Sequence, residues 1–197
     1  MRDFSVVSYF DSGFTARVRA LQERIAVETG ARASLDIWAP HITIGSGISV
    51  PDEDVSHAKE RLDRAVEDIA PFPIVVSGFG FMDDWSGGKQ PGITPYVVYL
   101  RVVVPDSLRR LVESVRNGLT DHFDRWYEQP SPYKPHVTIA YRDLSWDGFL
   151  RAKDLLSREI FIAEPIIDHV SLVDEIPDAF RTEYYRTSFC FNGNKEF

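Results

Sequence analysis

The sequence contains a single cysteine, Cys190, among its 197 residues. One thiol excludes an intramolecular disulfide bond and a zinc site built from four thiolates. No apolar run reaches the length needed to cross a bilayer, and residues 1–4 lack the apolar stretch of a secretory signal peptide. These absences lead us to expect a cytoplasmic protein with no membrane partner.

Positive charge is also scarce, with 22 Lys and Arg residues against 30 Asp and Glu residues and a net charge of −8. An acidic protein lacks the broad basic surface that holds a nucleic acid along its backbone, so we expect no extended nucleic-acid surface. A local pocket for one or two phosphates is still compatible with this charge. The length suits one domain over residues 1–197, and we expect a monomer.

One order of elements occurs twice along the chain: strand, helix, His-x-Thr strand, helix and strand. The two copies fall in residues 1–81 and 96–173, and the glycine- and proline-rich segment 82–95 predicts a loop between them. In the first copy, the His-x-Thr strand is expected to end at Gly45 and Gly47. A last strand near residues 184–191 has no counterpart in the first copy.

The spacing of matched residues supports this repeat. The two His-x-Thr histidines, His41 and His136, are 95 residues apart, as are Asp11 and Asp106, each of which ends a first strand. The repeat predicts an α+β fold with two pseudo-symmetric lobes of antiparallel sheet, helices on the outside and an active-site cleft between the lobes.

The two copies share a motif, Pro-His-hydrophobic-Thr-Ile, at residues 40–44 and 135–139. Because alternate residues of a strand share a face, each imidazole is expected beside a threonine hydroxyl. One neutral imidazole can take a proton from water, while the other, as imidazolium, protonates the leaving oxygen of a phosphodiester. Threonine hydroxyls can orient the phosphate oxygens, so neither a metal nor a cofactor is required.

These motifs resemble the 2H phosphoesterase superfamily, which includes cyclic nucleotide phosphodiesterases and so-called 2′-5′ RNA ligases, over nearly the whole chain. The resemblance implies that His41 and His136 are catalytic and that Thr43 and Thr138 bind the substrate phosphate. It also makes Tyr141, which follows the second motif, a candidate substrate contact. In an unbroken strand Tyr141 would face away from His136, so this role requires the strand to bend or end.

The implied reaction is hydrolysis of a 2′,3′-cyclic phosphate, or a related cyclic phosphate, on a small nucleotide or an RNA 3′ end. The sequence leaves open which histidine is the base. It also leaves open an alternative function, a non-catalytic module that binds or senses nucleotides with the same cleft.

Several other residues have weaker functional patterns. His169 begins a loose third motif without a preceding proline and aligns with the third strand near Phe79, so we expect a structural or surface role. An exposed loop is favoured over a phosphate-binding loop for residues 86–89, and packing is favoured over base stacking for Trp85. Asp83 and Asp84 are expected in solvent rather than at a metal. The basic neighbours of the second motif are Lys134 and Arg142, and at most one of Tyr141 and Arg142 can face a ligand.

Overall fold

A computed structural model describes residues 1–85, 92–120, 134–176 and 179–186; for 120, 176 and 179–186 only the backbone is described. The segment 86–89, Cys190 and the end of the expected last strand, from residue 187, lie outside the described residues.

The chain forms ten strands and five α-helices within the described ranges. The strands are β1 Arg2–Tyr9, β2 His41–Val50, β3 Phe72–Pro73, β4 Val75–Met82, β5 Thr94–Val103, β6 His136–Arg142, β7 Ile162–Ala163, β8 Ile166–Ile167, β9 Val170–Ile176 and β10 Ala179–Arg186. The helices are α1 Ser12–Thr29, α2 Ala33–Asp36, α3 Val55–Val66, α4 Asp106–Thr120 and α5 Trp146–Leu156, with a 3₁₀ turn at Asp52–Asp54 before α3.

Eight strands form one antiparallel sheet in the order β10-β9-β1-β2-β6-β5-β4-β7, and β3 pairs with β8 separately. We call β10, β9, β1 and β2 the first lobe of the sheet, and β6, β5, β4 and β7 the second lobe. The lobes meet at β2 and β6, whose recorded partners are Ile42 and Val137. The predicted α+β class with antiparallel sheet is therefore confirmed.

The helices cover the lobes in a crossed arrangement. Helix α1, which directly follows β1, contacts β6 of the second lobe and packs against α5, which contacts β5. Helix α4 contacts β2 of the first lobe and packs against α3. Strands β9 and β10, late in the chain, extend the first lobe beside β1. Each end of the chain therefore contributes to both lobes, while the division into repeat halves 1–81 and 96–173 stays a prediction.

A local pseudo-two-fold axis relates the lobes. Ile42 and Val137, which are 95 residues apart (137 − 42), pair with each other across the antiparallel β2–β6 junction. When two matched residues pair in this way, exchanging the strands reproduces the arrangement, as at a symmetric dimer interface. The neighbouring strands follow the same rule, because Tyr9 pairs with His41 in the first lobe and Arg101 pairs with His136 in the second.

Helix α1 shows why the sequence folds locally as it does. Asp11 caps its first turn, accepting a hydrogen bond from the Phe14 amide at 2.9 Å, and Gly30, with φ of 80°, ends it. Its inward face repeats at helical spacing and is buried at Phe14, Val18, Leu21 and Ile25. This face holds the helix under the sheet.

Strand β2 continues to Val50, so the expectation that it ends at Gly45 and Gly47 was wrong. The register with β1 skips from Thr43 to Gly45, which marks a β-bulge, and Gly47 has φ of 70°. The register shifts again between Gly45 and Ile48, where Gly47 lies, so the glycines accompany irregular pairing rather than the end of the strand.

Candidate active site at the junction of the lobes

The structure brings the two motifs together at the junction of β2 and β6. Ile42 and Val137, at the centre of the junction, are fully buried on the helix-covered face. Because side chains alternate along a strand, the residues on either side of them point to the opposite face. These four half-buried side chains, all predicted from the sequence, are His41, Thr43, His136 and Thr138.

A backbone carbonyl orients each imidazole in the same way. Nδ1 of His41 lies 2.8 Å from the Ala39 oxygen, and Nδ1 of His136 lies 2.9 Å from the Lys134 oxygen. A carbonyl can only accept, so each Nδ1 carries a proton and donates it. In the neutral ring the lone pair then lies at Nε2, and Nε2 is the atom that takes up or releases the exchangeable proton.

The surroundings of both rings disfavour the charged imidazolium. Burial lowers the pKa of His41 from 6.5 to about 4, against the hydrogen bond to Ala39, and the nearby His136 lowers it further. Burial also lowers the pKa of His136, and the hydrogen bond to Lys134 opposes this effect. Both rings are therefore neutral at pH 7 in the unliganded protein, and an anionic ligand would favour protonation.

Aromatic side chains account for this burial. Tyr9 and Trp38 meet the His41 ring edge-on, with centroid separations of 6.1 and 6.4 Å. Tyr99 and Trp85 meet the His136 ring at 5.1 and 5.7 Å. The site is thus two imidazoles between two pairs of aromatic rings, of which sequence reasoning had singled out only Trp85.

The close approach of Tyr99 depends on a glycine in the next strand. Gly80 pairs with Tyr99 across β4 and β5, and a Cβ at Gly80 would stand 2.1 Å from the tyrosine ring. Only glycine leaves room for the ring to lie against the strand.

Tyr141 lies on the same side as the histidines because β6 contains a bulge. Thr138 pairs with Tyr99 and Ala140 pairs with Val98, so Ile139 is an extra residue and the alternation reverses beyond it. The indole of Trp85 donates a hydrogen bond to Tyr141, and burial raises the pKa of the Tyr141 phenol despite the opposing effects of Arg142 and this hydrogen bond. The required bend is present, while contact with a substrate stays a prediction.

The residues after Tyr141 form a tight turn that reaches the first motif. Arg142 has φ of 76°, and the Asp143 amide donates to the Tyr141 carbonyl at 3.1 Å, closing a γ-turn of the rare positive-φ kind. The Arg142 guanidinium lies over the Trp38 ring, 5.8 Å from its centroid. Arg142 therefore reaches the aromatic wall of His41, although it follows the strand of His136.

Asp143 fixes the segment that leads into His41. One of its carboxylate oxygens accepts hydrogen bonds from the amides of Arg32 at 2.7 Å and Ala33 at 3.0 Å, where α2 begins. Sequence reasoning missed Asp143, since its partners lie about a hundred residues away and no local signal marks it.

The remaining predicted candidates lie around this site or away from it. His169 is buried just before β9, with Nδ1 at 2.6 Å from Asp168 and its ring stacked on Tyr9 at 6.5 Å. The side chains of Lys134, Asp83 and Asp84 are exposed.

Across the described ranges, no group of three or more His, Cys, Asp or Glu side chains could hold a metal ion. Nor does any described helix combine the length and apolarity that a membrane crossing requires.

Comparison with known proteins places the chain in a family. A family model described as the 2′-5′ RNA ligase superfamily matches residues 10–178. An RNA 2′,3′-cyclic phosphodiesterase of Thermotoga maritima is 27% identical over 125 residues, which make up 62% of this chain and 62% of that relative. The match thus spans about three fifths of that relative's length.

Solved structures share the fold at low identity. The crystal structure of a Thermus thermophilus protein has a TM-score of 0.68 at 17% identity and covers 95% of this chain and 98% of that one. E. coli LigT complexed with 3′-AMP has a TM-score of 0.56 at 14% identity, with 95% and 98% covered. The predicted resemblance to the 2H phosphoesterases is confirmed, and since the family model covers most of the chain, this protein belongs to the 2′-5′ RNA ligase superfamily.

Proposed function

We propose that the protein hydrolyses a cyclic phosphodiester, either a 2′,3′-cyclic nucleotide or the cyclic phosphate of an RNA end, to a phosphomonoester. The observation that carries this proposal is the meeting of His41 and His136 on one face, each with Nδ1 held by a carbonyl. The name of the Thermotoga maritima relative, and the LigT complexes with 3′-AMP and phosphate, support the same class of ligand.

The proposed reaction moves two protons between substrate and imidazoles. A water molecule loses a proton to Nε2 of one histidine while its oxygen bonds to phosphorus. The bond from phosphorus to one ribose oxygen breaks, and that oxygen takes a proton from Nε2 of the other histidine. The net change is the addition of one water molecule, and neither a metal nor a cofactor takes part in the proposed steps.

We assign His41 as the base and His136 as the acid. Burial and the charge of His136 bring the pKa of His41 to about 4, which favours the neutral form needed in a base. The hydroxyls of Thr43 and Thr138, on the same face, would donate to the non-bridging oxygens and hold phosphorus in line with the water.

Single substitutions of the histidines test the proposal. His41→Ala and His136→Ala are each expected to lower kcat by about 100-fold or more, because each removes one proton transfer. Hydrolysis of a panel of 2′,3′-cyclic nucleotides would be followed, with the products identified by phosphorus NMR. His57→Ala, an exposed histidine of α3, is the matched control and should keep wild-type activity. Circular dichroism would check that every variant is folded.

Two outcomes would contradict this proposal. Wild-type rates in either active-site variant would remove that histidine from the mechanism. Calorimetric binding of 3′-AMP by wild-type protein that turns over no cyclic phosphate would instead support the alternative function, a non-catalytic nucleotide-binding module.

A further inference from the structure

The pseudo-two-fold axis allows the two lobes to be compared strand by strand, starting at each histidine of the site. In the first lobe, His41 pairs with Tyr9 of β1, and the Tyr9 ring reaches over the neighbouring strand to stack on His169. His169 is buried and bonded to Asp168, and the strand position that pairs with His41 carries the aromatic ring of Tyr9 rather than a cation.

The matching positions of the second lobe carry different chemistry. His136 pairs with Arg101 of β5, and directly paired residues of an antiparallel ladder project to the same face. Arg101 therefore extends from the face that carries His136, whereas its neighbour Leu100 is fully buried on the opposite face. The side chain of Arg101 is exposed.

A β-bulge that contains a glycine lets the Arg101 side chain lie across the neighbouring strand. Val76 pairs with Val102 and Phe79 pairs with Leu100, so Ser77 and Gly78 together oppose Arg101. Gly78 has φ of 71°, and a Cβ there would stand 3.6 Å from a terminal nitrogen of Arg101. The guanidinium thus lies over β4 within van der Waals distance of the bulge, where the positive φ would strain any residue larger than glycine.

The Arg101 guanidinium has no internal counterion in the part of the chain that the structure describes. Some described arginines pair with carboxylates, as Arg2 does with Asp174 and Arg24 with Glu159, whereas no hydrogen bond or ion pair is found for Arg101 there. In a protein of net charge −8, an arginine beside the site without such a pair is a specific source of positive potential.

We propose that Arg101 binds a second phosphate of the substrate, the one attached to the 5′ oxygen of the nucleoside that carries the cyclic phosphate. This inference rests on the proposed function and deepens it. Adjacent strands are about 4.8 Å apart, so a guanidinium over β4 lies up to two strand spacings, about 10 Å, from the backbone of His136. That separation is on the scale of a single nucleotide.

The asymmetry between the lobes then sets the direction of the substrate. The guanidinium fork binds phosphate through two parallel hydrogen bonds, whereas the matching Tyr9 has no charge with which to do so. The 5′ phosphate is directed to the second lobe. Such a phosphate occurs in a 5′-phosphorylated cyclic mononucleotide and, as a diester, in an RNA chain, and Arg101 would recognise the group common to both.

Three substrates test this subsite. They are adenosine 2′,3′-cyclic phosphate, the same nucleotide with a 5′ phosphate, and the dinucleotide ApA ending in a 2′,3′-cyclic phosphate. In wild-type protein, kcat/KM for the second and third substrates should exceed that for the first by about 10-fold, the scale of one charged hydrogen-bonded contact, mainly through KM. In Arg101→Gln the ratio should fall towards one, and Arg101→Lys should give an intermediate value.

Arg110→Gln is the matched control because Arg110 is an exposed arginine on α4, and it should keep the wild-type ratio. A ratio unchanged in Arg101→Gln would overturn the proposal. So would an equal loss on all three substrates, which would indicate a general effect on the fold or charge. Melting temperatures would show whether each variant is folded.

The same variants separate failure of this subsite from failure of the proposed function. If wild-type protein hydrolyses none of the substrates, calorimetry would compare adenosine 3′,5′-bisphosphate with 3′-AMP. A preference of about 10-fold for the bisphosphate that disappears in Arg101→Gln would support the subsite without turnover. Equal affinity for the two ligands in wild-type protein would overturn it.

Discussion

At the scale of single residues, the site is governed by the balance between burial and hydrogen bonding at each imidazole. The carbonyls of Ala39 and Lys134 favour the protonated rings, and the aromatic walls favour the neutral ones. Burial has the larger effect at both rings, since the pKa of His41 and the pKa of His136 are both lowered. A reaction that needs one neutral and one charged imidazole must therefore run within a limited pH range.

This balance predicts an acidic optimum for kcat/KM, which reports on the free enzyme. As pH rises through about 4, His41 loses its proton and becomes able to act as base. The proposed acid, His136, is lost as pH rises through its own pKa, which burial lowers from 6.5. The optimum should therefore lie below 6.5.

Initial rates on a 2′,3′-cyclic nucleotide, measured from pH 3.5 to pH 8.5, would give this profile. Citrate, acetate and other buffers that contain no phosphate would be used. The profile of kcat should extend to higher pH, because a bound phosphate anion favours the imidazolium. A kcat/KM that keeps rising above pH 7 would contradict the assignment of the two proton transfers.

Side chains alternate between the two faces of a strand. From the sequence, this rule predicted that His41 shares a face with Thr43 and that His136 shares a face with Thr138. The aromatic partners Tyr9 and Tyr99 could not be found in this way. They lie on other strands, and which residues stand opposite a histidine depends on a register that shifts at several points along both ladders. Their roles became visible only with the pairing.

At the scale of elements, the end of β6 connects the two motifs. Beyond the bulge, Tyr141 bonds to Trp85 next to His136, and Arg142 lies over Trp38 next to His41. The sequence showed that Tyr141 would need a bend in the strand. It could not show the γ-turn, because residues such as arginine rarely adopt positive φ and nothing local indicates it.

Asp143 lies in this turn, and removing its carboxylate should disturb the site. Asp143→Ala leaves the amides of Arg32 and Ala33 without their acceptor, and the segment that carries Trp38 and His41 loses its anchor. We expect kcat to fall about 10-fold with a smaller change in KM, because misplacement of a proton-transfer group affects the chemical step most. The free energy of unfolding should fall by about 1 kcal/mol, as for loss of a helix cap.

Two further variants make this test specific. Asp143→Asn keeps an oxygen that can accept both amide hydrogen bonds and should restore most of the activity. Asp68→Ala removes an exposed carboxylate outside the site and should behave as wild type. If Asp143→Ala changed stability but neither kcat nor the acid limb of the pH profile, Asp143 would have only a structural role.

At the scale of the whole molecule, the sequence predicted the class of fold and the order of elements but not how the lobes share them. Periodicity identifies which face of α1 is buried, and this face could equally cover the strands nearest in sequence. The structure instead places α1 against β6 and α5, while β9 returns to pair with β1. Such long-range choices depend on connections and layer packing that local patterns do not encode.

Because elements cross between the lobes, the molecule should unfold as one cooperative unit. Ile25 lies on the buried face of α1, and Ile25→Ala should lower the free energy of unfolding by about 2–5 kcal/mol through the cavity it leaves. Val27, on the same helix, is 81% exposed, so Val27→Ala should change stability by less than about 0.5 kcal/mol. Urea unfolding would be followed by tryptophan fluorescence, to which all four tryptophans contribute, including Trp38 and Trp85 beside the two histidines, and by far-ultraviolet circular dichroism. The two curves should coincide in wild type and in both variants. Two separate transitions, with only one moved by Ile25→Ala, would show that the lobes unfold independently despite the crossing of α1.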